Sequence, residues 1–178
     1  MAATVNRRLQ IYRGRVFQLV RENVTLENGV SADLDYIEHP GAAAIVPLAD
    51  SGEVVLVRQY RHALKRFIWE IPAGTLDPGE SGLECARREL AEETGYAAAE
   101  WQPLGEITPV PGYSDERVFL FLATALSPAQ QALDRDEVLA VHHLPLQKAL
   151  EMIAAGEIQD AKSICGLMLA QRRLPILR

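Results

Sequence analysis

Short runs of apolar residues, broken by turn residues, predict β-strands along the first part of the chain. An Asn28-Gly29 pair is a strong signal for a tight hairpin turn. After it, residues 30–36 alternate between apolar and polar side chains, which indicates a strand with one buried face. The pattern breaks at Pro40-Gly41. We therefore interpret residues 1–40 as a small β-rich lobe, with two more short strands at 16–20 and 24–27.

Beyond this lobe, strand and helix patterns alternate, and they predict one domain over residues 41–178. Continuous apolar runs predict buried strands at 42–48, 54–60, 67–71, 117–126 and 137–144. Apolar residues at helical spacing predict two late helices, at 146–155 and 161–173. The predicted fold class is α/β, a sandwich in which helices cover the faces of a mixed sheet.

The segment between residues 74 and 96 predicts a turn followed by a helix with well-defined ends. Asp77-Pro78-Gly79 is a turn signal. Ser81 and Glu84 have the spacing of a capping box, so the helix is expected to begin at Ser81. Gly95 follows the last helical residue, where a left-handed cap is usual. This is the third predicted helix, and it follows directly on the strand at 67–71.

Three carboxylates share one face of this helix. At about 100° per residue, Glu89, Glu92 and Glu93 fall within an arc of about 100°. Glu89 and Glu93 adjoin, and such like charges destabilise a helix by about 0.2–0.5 kcal/mol. An acidic face in solvent is the ordinary interpretation of a Glu-rich helix. The alternative is a divalent cation between the carboxylates, because Mg²⁺ prefers hard oxygen ligands and usually shares them with substrate phosphate.

The whole segment resembles the Nudix box, G-x5-E-x7-R-E-U-x-E-E-x-G-U, in which U is an apolar residue. Every position matches, with Tyr96 as a slightly unusual final apolar residue. The resemblance implies the Nudix sandwich fold and hydrolysis of a nucleoside diphosphate linked to another moiety, with Mg²⁺ or Mn²⁺ as cofactor. The fixed positions of the motif are Gly74, Glu80, Arg88, Glu89, Glu92, Glu93 and Gly95.

The same resemblance implies which residues do the chemistry. The metal ligands would be Glu89, Glu93, Glu137 and the Ala73 carbonyl. The base that takes a proton from water would come from a pool of four carboxylates, because the family's position for it holds Arg135 here, a departure. This pool of candidate bases consists of Glu92, Glu93, Asp136 and Glu137. Arg88 would pair with a carboxylate such as Glu80. The structural residues of the box would be Gly74, Glu80, Arg88 and Gly95.

Three further residues are candidates for substrate binding, and two of them, Arg61 and Glu116, resemble positions of the ADP-ribose pyrophosphatase branch. Glu116 follows Pro111 in the order of that branch's downstream signature, although a simple turn explains the segment equally well. Arg61 lies at a strand end, where it could bind phosphate with its planar fork or be surface charge. Glu70 interrupts an apolar strand and needs a partner if it is buried; an exposed strand face is the other interpretation.

The branch resemblance implies cleavage of ADP-ribose, or a related nucleoside diphosphate sugar, to AMP and ribose 5-phosphate. One alternative is hydrolysis of GDP-mannose or another sugar nucleotide. A second is a Nudix protein that senses ADP-ribose without catalysis, and a weaker third is an RNA-cap hydrolase. The branch also implies a homodimer in which the N-terminal lobe is the dimerisation element.

Composition limits the remaining classes. The net charge of −6 disfavours a partner that is nucleic acid, and it agrees with cations bridging the chain to an anionic substrate. No apolar stretch approaches the length of a membrane span, and no signal peptide is recognisable. Cys85 and Cys165 are far apart and are expected to be thiols. The expected location is the cytoplasm.

Overall fold

The computed structural model of the chain describes residues 2–174, so positions 175–178 of the predicted domain lie outside the described residues. The described residues form ten strands and three helices. In chain order the elements are β1 (Ala3–Arg13), β2 (Gln18–Leu26), β3 (Ser31–Glu38), β4 (Ala42–Pro47), β5 (Glu53–Arg61), β6 (Arg66–Glu70), β7 (Ala73–Thr75), α1 (Gly82–Thr94), β8 (Tyr96–Ile107), β9 (Val118–Pro128), β10 (Leu139–Pro145), α2 (Leu146–Ala154) and α3 (Ala161–Arg173).

The first three strands make an antiparallel sheet in the order β1-β2-β3. The two short strands predicted before Asn28 are one continuous strand, β2, which buries Val20 and Val24 on its inner face. Strand β1 was not predicted. Its apolar side chains are mostly exposed, so no alternation between buried and exposed positions marks it in the sequence. The sheet agrees with a β-rich lobe, while the domain boundary at residue 40 stays a prediction.

Strand β4 lies at the centre of the sandwich and is buried on both faces. It pairs in parallel with β9 and antiparallel with β7, in a sheet of order β7-β4-β9-β8. A second sheet has the order β10-β5-β6. Ala44 and Val46 of β4 pack in a cluster with α2 and α3, whereas Ala43 and Ile45 pack in a second cluster with α1. Helices therefore cover both sides, and the predicted α/β sandwich with a mixed sheet is confirmed.

Two strands beside α1 were also missed. Strand β7 contains three residues and is too short to carry a pattern. Strand β8 is a sheet edge that pairs with β9, and a bulge between Pro103 and Gly105 interrupts its register. Proline and glycine are tolerated at such edges but obscure a strand in the sequence. Among residues 2–174 we find no helix that combines the length and the apolar character of a membrane span.

Candidate functional site: an acidic helix at the floor of a cavity

The ends of α1 are fixed by the local interactions that the sequence predicts. Ser81 precedes the helix, and its hydroxyl accepts a hydrogen bond from the Glu84 amide at 3.3 Å. The Glu84 carboxylate in turn accepts from the Ser81 amide at 2.8 Å, which completes the capping box. At the other end Gly95 adopts a left-handed conformation with φ of 73°. These caps fix which faces of the helix the box residues occupy.

Arg88 joins three carboxylates at the exposed edge of the helix. Its guanidinium donates to both oxygens of Glu80, at 2.9 and 2.8 Å, as predicted. It also donates to Glu89 at 2.5 Å and to Glu92 at 3.2 Å. The Thr75 carbonyl accepts a further bond at 3.1 Å, which ties the helix to the end of β7. Hydrogen bonding to Arg88 lowers the pKa of Glu80 to about 2.

Two carboxylates of α1 are buried without a full set of compensating cations. Glu93 is 2% exposed, and its Oε2 accepts a hydrogen bond from the Ala73 amide at 3.0 Å. Burial raises the pKa of Glu93 to about 8, against the effect of that bond and with help from the charges of Glu89 and Glu137. Glu89 is 9% exposed, and burial raises its pKa to about 7 although Arg88 opposes the shift. The arrangement favours a bound positive charge.

Gly74 makes room for the Glu89 carboxylate. A Cβ atom at position 74 would overlap the carboxylate of Glu89. Gly74 has no positive φ, so the glycine is required by this close approach and not by the backbone conformation. The glycine at the start of the box therefore lets β7 lie directly against the acidic face of α1.

Gly74→Ala is expected to lower activity by about a hundredfold, because the added methyl group displaces the Glu89 carboxylate and small misplacements have costs of this size. The carboxylate is the far end of a flexible side chain, so the thermal unfolding temperature should change little. Gly112→Ala is the matched control, since Gly112 also has no positive φ and nothing lies within 4 Å of an added Cβ. Equal activities of the two variants would contradict this role for Gly74.

An open cavity of about 1050 Å³ lies above the acidic face of α1. Its walls come from the turn between β1 and β2, the ends of β3, β5 and β7, the helix itself, and the loop between β9 and β10. The cavity brings together seven of the residues singled out in the sequence. These are Arg61, Ala73, Gly74, Arg88, Glu89, Glu92 and Glu137.

The donors around this cavity suit a hard divalent cation. Glu89 and Glu92 line it and Glu93 is buried next to the Ala73 backbone, so the available atoms are oxygens, which Mg²⁺ and Mn²⁺ prefer. Within residues 2–174, no three Asp, Glu, His or Cys side chains are already gathered at metal-holding spacing. Mg²⁺ usually keeps several waters and takes one or two carboxylates plus substrate phosphate. The residues present therefore fit such an ion.

The two acidic residues predicted in the loop between β9 and β10, Asp136 and Glu137, differ in their surroundings, and only Glu137 lines the cavity. Glu137 lines the cavity, and its charge contributes to the raised pKa of both Glu89 and Glu93. Asp136 is exposed and forms an ion pair with Arg15 at 2.9 Å. Glu116, on another loop, lines a second cavity of about 270 Å³ that shares Arg61 and other walls with the first.

Glu70 is a buried charge, so its interpretation as part of an exposed strand face is wrong. Its side chain is 2% exposed. Both oxygens accept hydrogen bonds from Arg61, at 2.7 and 2.9 Å, and Lys162 at the start of α3 is a second cationic partner. Arg61 lines both cavities. Sequence reasoning missed Lys162, because 92 positions separate it from Glu70 and no local spacing links the two.

Comparison with known proteins agrees with this geometry. Residues 38–166 match the NUDIX domain family. The chain is 39% identical over 164 residues to the ADP-ribose pyrophosphatase of Bacillus subtilis (strain 168), covering 91% of this chain and 89% of that one. It is 38% identical over 164 residues to the methanol dehydrogenase activator of Bacillus methanolicus, with the same coverage.

A solved structure described as an ADP compounds hydrolase superposes with a TM-score of 0.84 at 25% identity, covering 97% of this chain and 94% of that one. The family match spans more than half of the chain, and it includes the helix, the glycine and the carboxylates that form the floor of the cavity. The chain therefore belongs to the Nudix family and is a Nudix hydrolase.

Proposed function

We propose that this Nudix hydrolase cleaves the pyrophosphate of ADP-ribose in the presence of Mg²⁺, giving AMP and ribose 5-phosphate. The observation that carries the proposal is a pair of buried carboxylates: Glu89 lines a cavity of about 1050 Å³, and Glu93 is bonded to the backbone of Ala73 in the wall of that cavity. A cavity of this size accommodates a dinucleotide-sized ligand. The similarity to the Bacillus subtilis ADP-ribose pyrophosphatase supports the choice of substrate.

The metal ligands in this proposal are Glu89, Glu93, Glu137 and the carbonyl of Ala73. When bound, Mg²⁺ would neutralise the diphosphate and lower the pKa of a water molecule near phosphorus. Glu89 and Glu93 supply negative charge where the protein has not already compensated it, as their raised pKa values indicate. Gly74 keeps the approach to Glu89 open. Mn²⁺ has the same preference for oxygen ligands and should substitute.

The proton of the attacking water would pass to a carboxylate from the pool of Glu92, Glu93, Asp136 and Glu137. Two of these line the cavity, and they differ in their partners. Glu92 accepts a hydrogen bond from Arg88 at 3.2 Å. Glu137 is bonded at 3.1 Å to the amide of Asp134 in its own loop. Glu137 has no cationic side-chain partner among the described contacts but is itself a proposed metal ligand, so both Glu92 and Glu137 are kept as candidates for the base.

Arg61 would bind a phosphate of the substrate, and Glu116 would bind a more distant part of it from the second cavity. Arg61 is about 40% exposed although Glu70 holds its Nε and Nη2. This leaves Nη1 outside the pair and available to a phosphate oxygen. Glu70 acts on the substrate through Arg61 in this proposal, because both of its oxygens are already engaged.

The experiment that tests the function is a panel of sugar nucleotides, each assayed for phosphate-containing products with and without Mg²⁺. ADP-ribose should give the highest kcat/KM, with AMP as one product. Preferential cleavage of GDP-mannose would instead support the other sugar-nucleotide activity. Tight binding of ADP-ribose without turnover in Mg²⁺ or Mn²⁺ would support a sensor and would sink the proposal.

We further propose that the chain is a homodimer formed through the N-terminal lobe, residues 1–40. Strand β1 carries four apolar side chains that are about half exposed, namely Val5, Leu9, Ile11 and Tyr12. Such a row on one exposed strand is typical of an interaction surface. Sedimentation velocity should give a dimer that Leu9→Glu converts to a monomer. A monomeric parent protein would refute the proposal.

The free thiols of Cys85 and Cys165 agree with a cytoplasmic location.

A further inference from the structure

Lys162 belongs to a buried charge cluster behind Arg61. Helix α3 begins after Asp160, whose carboxylate caps it by accepting from the Ser163 amide at 2.9 Å. The Lys162 ammonium bonds to Asp160 at 3.0 Å and also to Glu70. Its side chain is 14% exposed, and it lines the second cavity together with Arg61. None of the roles proposed above uses this lysine.

The charges of the cluster balance only when Lys162 is included. Glu70 is a buried carboxylate held by two cations, Arg61 and Lys162. With Asp160 the four side chains carry two positive and two negative charges. Removal of the ammonium would leave two carboxylates against one guanidinium, in a region with little solvent to screen them. Glu70 would then offset most of the positive charge that Arg61 presents to a ligand in the cavity.

A purely structural role for Lys162 is the competing explanation, since the Lys162–Glu70 pair joins α3 to β6. The first turn of α3 already has a separate link to this region, because the Ser163 hydroxyl accepts from the Ile71 amide at 2.8 Å. The helix also packs into the core through Leu167 and Ala170, which are fully buried. Docking of α3 therefore does not depend on Lys162 alone.

We propose that Lys162 is a positioning residue for substrate phosphate: by compensating Glu70, it leaves the positive charge of the Arg61 guanidinium free to attract a phosphate in the cavity. The inference rests on the proposed function, in which Arg61 binds a phosphate. Lys162 does not need to touch the substrate. It acts through the two carboxylate oxygens of Glu70, which hold Nε and Nη2 of Arg61 in a fixed fork.

The test is the steady-state kinetics of Lys162→Met with ADP-ribose at saturating Mg²⁺. We expect KM to rise about tenfold while kcat stays within about threefold, because binding of phosphate is weakened before the chemical step. Lys162→Arg keeps the charge and should restore most of the affinity. Lys148→Met is the matched control, since Lys148 is an exposed lysine of α2 with only a 3.9 Å contact to Glu151.

A double variant separates positioning from structure. Lys162 acts through the Glu70 carboxylate, so in a Glu70→Gln background, where that carboxylate is gone, Lys162→Met should change KM by less than about threefold. A lysine that only holds α3 in place would raise KM in the Glu70→Gln background as well. If Lys162→Met does not fold, the comparison of the double variant with Glu70→Gln decides alone, because neither of these proteins carries the Glu70 carboxylate.

The inference and the proposed function fail in different ways. A parent enzyme without turnover of ADP-ribose refutes the proposed function. A parent enzyme that turns over ADP-ribose, together with an unchanged KM in Lys162→Met or a KM in the double variant well above that of Glu70→Gln, refutes the inference alone. Thermal unfolding of each variant, measured without substrate, shows whether a kinetic change accompanies a loss of folded protein.

Discussion

Replacing Glu93 with Gln is expected to lower kcat by about a thousandfold or more while the fold is retained. Glu93 is one of the proposed metal ligands, and a bound divalent ion contributes several kcal/mol to the stabilisation of the transition state. Each 1.36 kcal/mol is about a factor of ten in rate. Gln has the same shape and can still accept the hydrogen bond from the Ala73 amide. Kinetics with ADP-ribose and Mg²⁺ provide the measurement.

The same substitution should raise the thermal unfolding temperature of the metal-free protein. Folding raises the pKa of Glu93 to about 8, so the folded protein binds a proton that the unfolded chain releases. Stability from this group is therefore fully present below pH 4.5 and is lost progressively as the pH rises from there to about 8. Gln does not titrate, so the increase in unfolding temperature of Glu93→Gln over the parent protein should be larger above about pH 8 than at low pH.

The control for Glu93→Gln is Glu151→Gln on the exposed side of α2, which should leave both rate and stability unchanged. An unaltered kcat in Glu93→Gln would remove this carboxylate from the reaction. A fall in both activity and unfolding temperature would instead mean that the charged form of Glu93 stabilises the fold, which is incompatible with a pKa raised by burial.

Removal of divalent cations is expected to reduce hydrolysis of ADP-ribose to background, and addition of Mg²⁺ or Mn²⁺ should restore it. The acidic face of α1 and the diphosphate of the substrate carry charge of the same sign, so a cation is needed between them. Dialysis against EDTA followed by an assay in metal-free buffer gives the first measurement. Full activity after exhaustive chelation would contradict a metal-dependent reaction.

The second readout of this prediction is independent of activity. A ligand that binds only the folded protein raises its stability by mass action, so Mg²⁺ should raise the unfolding temperature of the parent protein. The increase should be smaller in Glu93→Gln. An equal increase in both proteins would place the ion at a site that does not include Glu93.

The sequence predicted α1 and its surroundings well because their determinants are local. Ser81 and Gly95 fix the two ends of the helix through contacts within a few residues. The Arg88–Glu80 pair spans eight positions, with only a turn between its members and the helix. Fixed spacing in the sequence therefore becomes fixed geometry, and the helix, its caps and the shared face of its carboxylates could all be inferred.

Strands without a buried face could not be predicted in the same way. Strand β1 exposes nearly all of its side chains, and β8 combines an edge position with a proline and a bulge. Periodicity in a sequence records burial, so an element that buries little leaves a weak pattern. Both strands form because their neighbours, β2 and β9, offer backbone hydrogen-bonding partners.

The missed part of the site depends on distant contacts. Glu70 was recognised as odd within an apolar strand, but its partner Lys162 comes from the first turn of α3, which is bonded to the end of β6 only in the folded chain. The pair between Asp136 and Arg15 likewise joins the loop after β9 to the turn after β1. Charge pairs of this kind depend on the tertiary fold, and the residue types alone do not specify them.

The decisive measurement for the role of α1 is a crystal structure with Mg²⁺ and an ADP-ribose analogue whose diphosphate cannot be hydrolysed. We expect at least one Mg²⁺ bound by the carboxylates of Glu89 and Glu93 and by oxygens of the diphosphate. Mg²⁺ and diphosphate bound elsewhere, with both carboxylates free of the metal, would show that the acidic face of α1 is not the metal site.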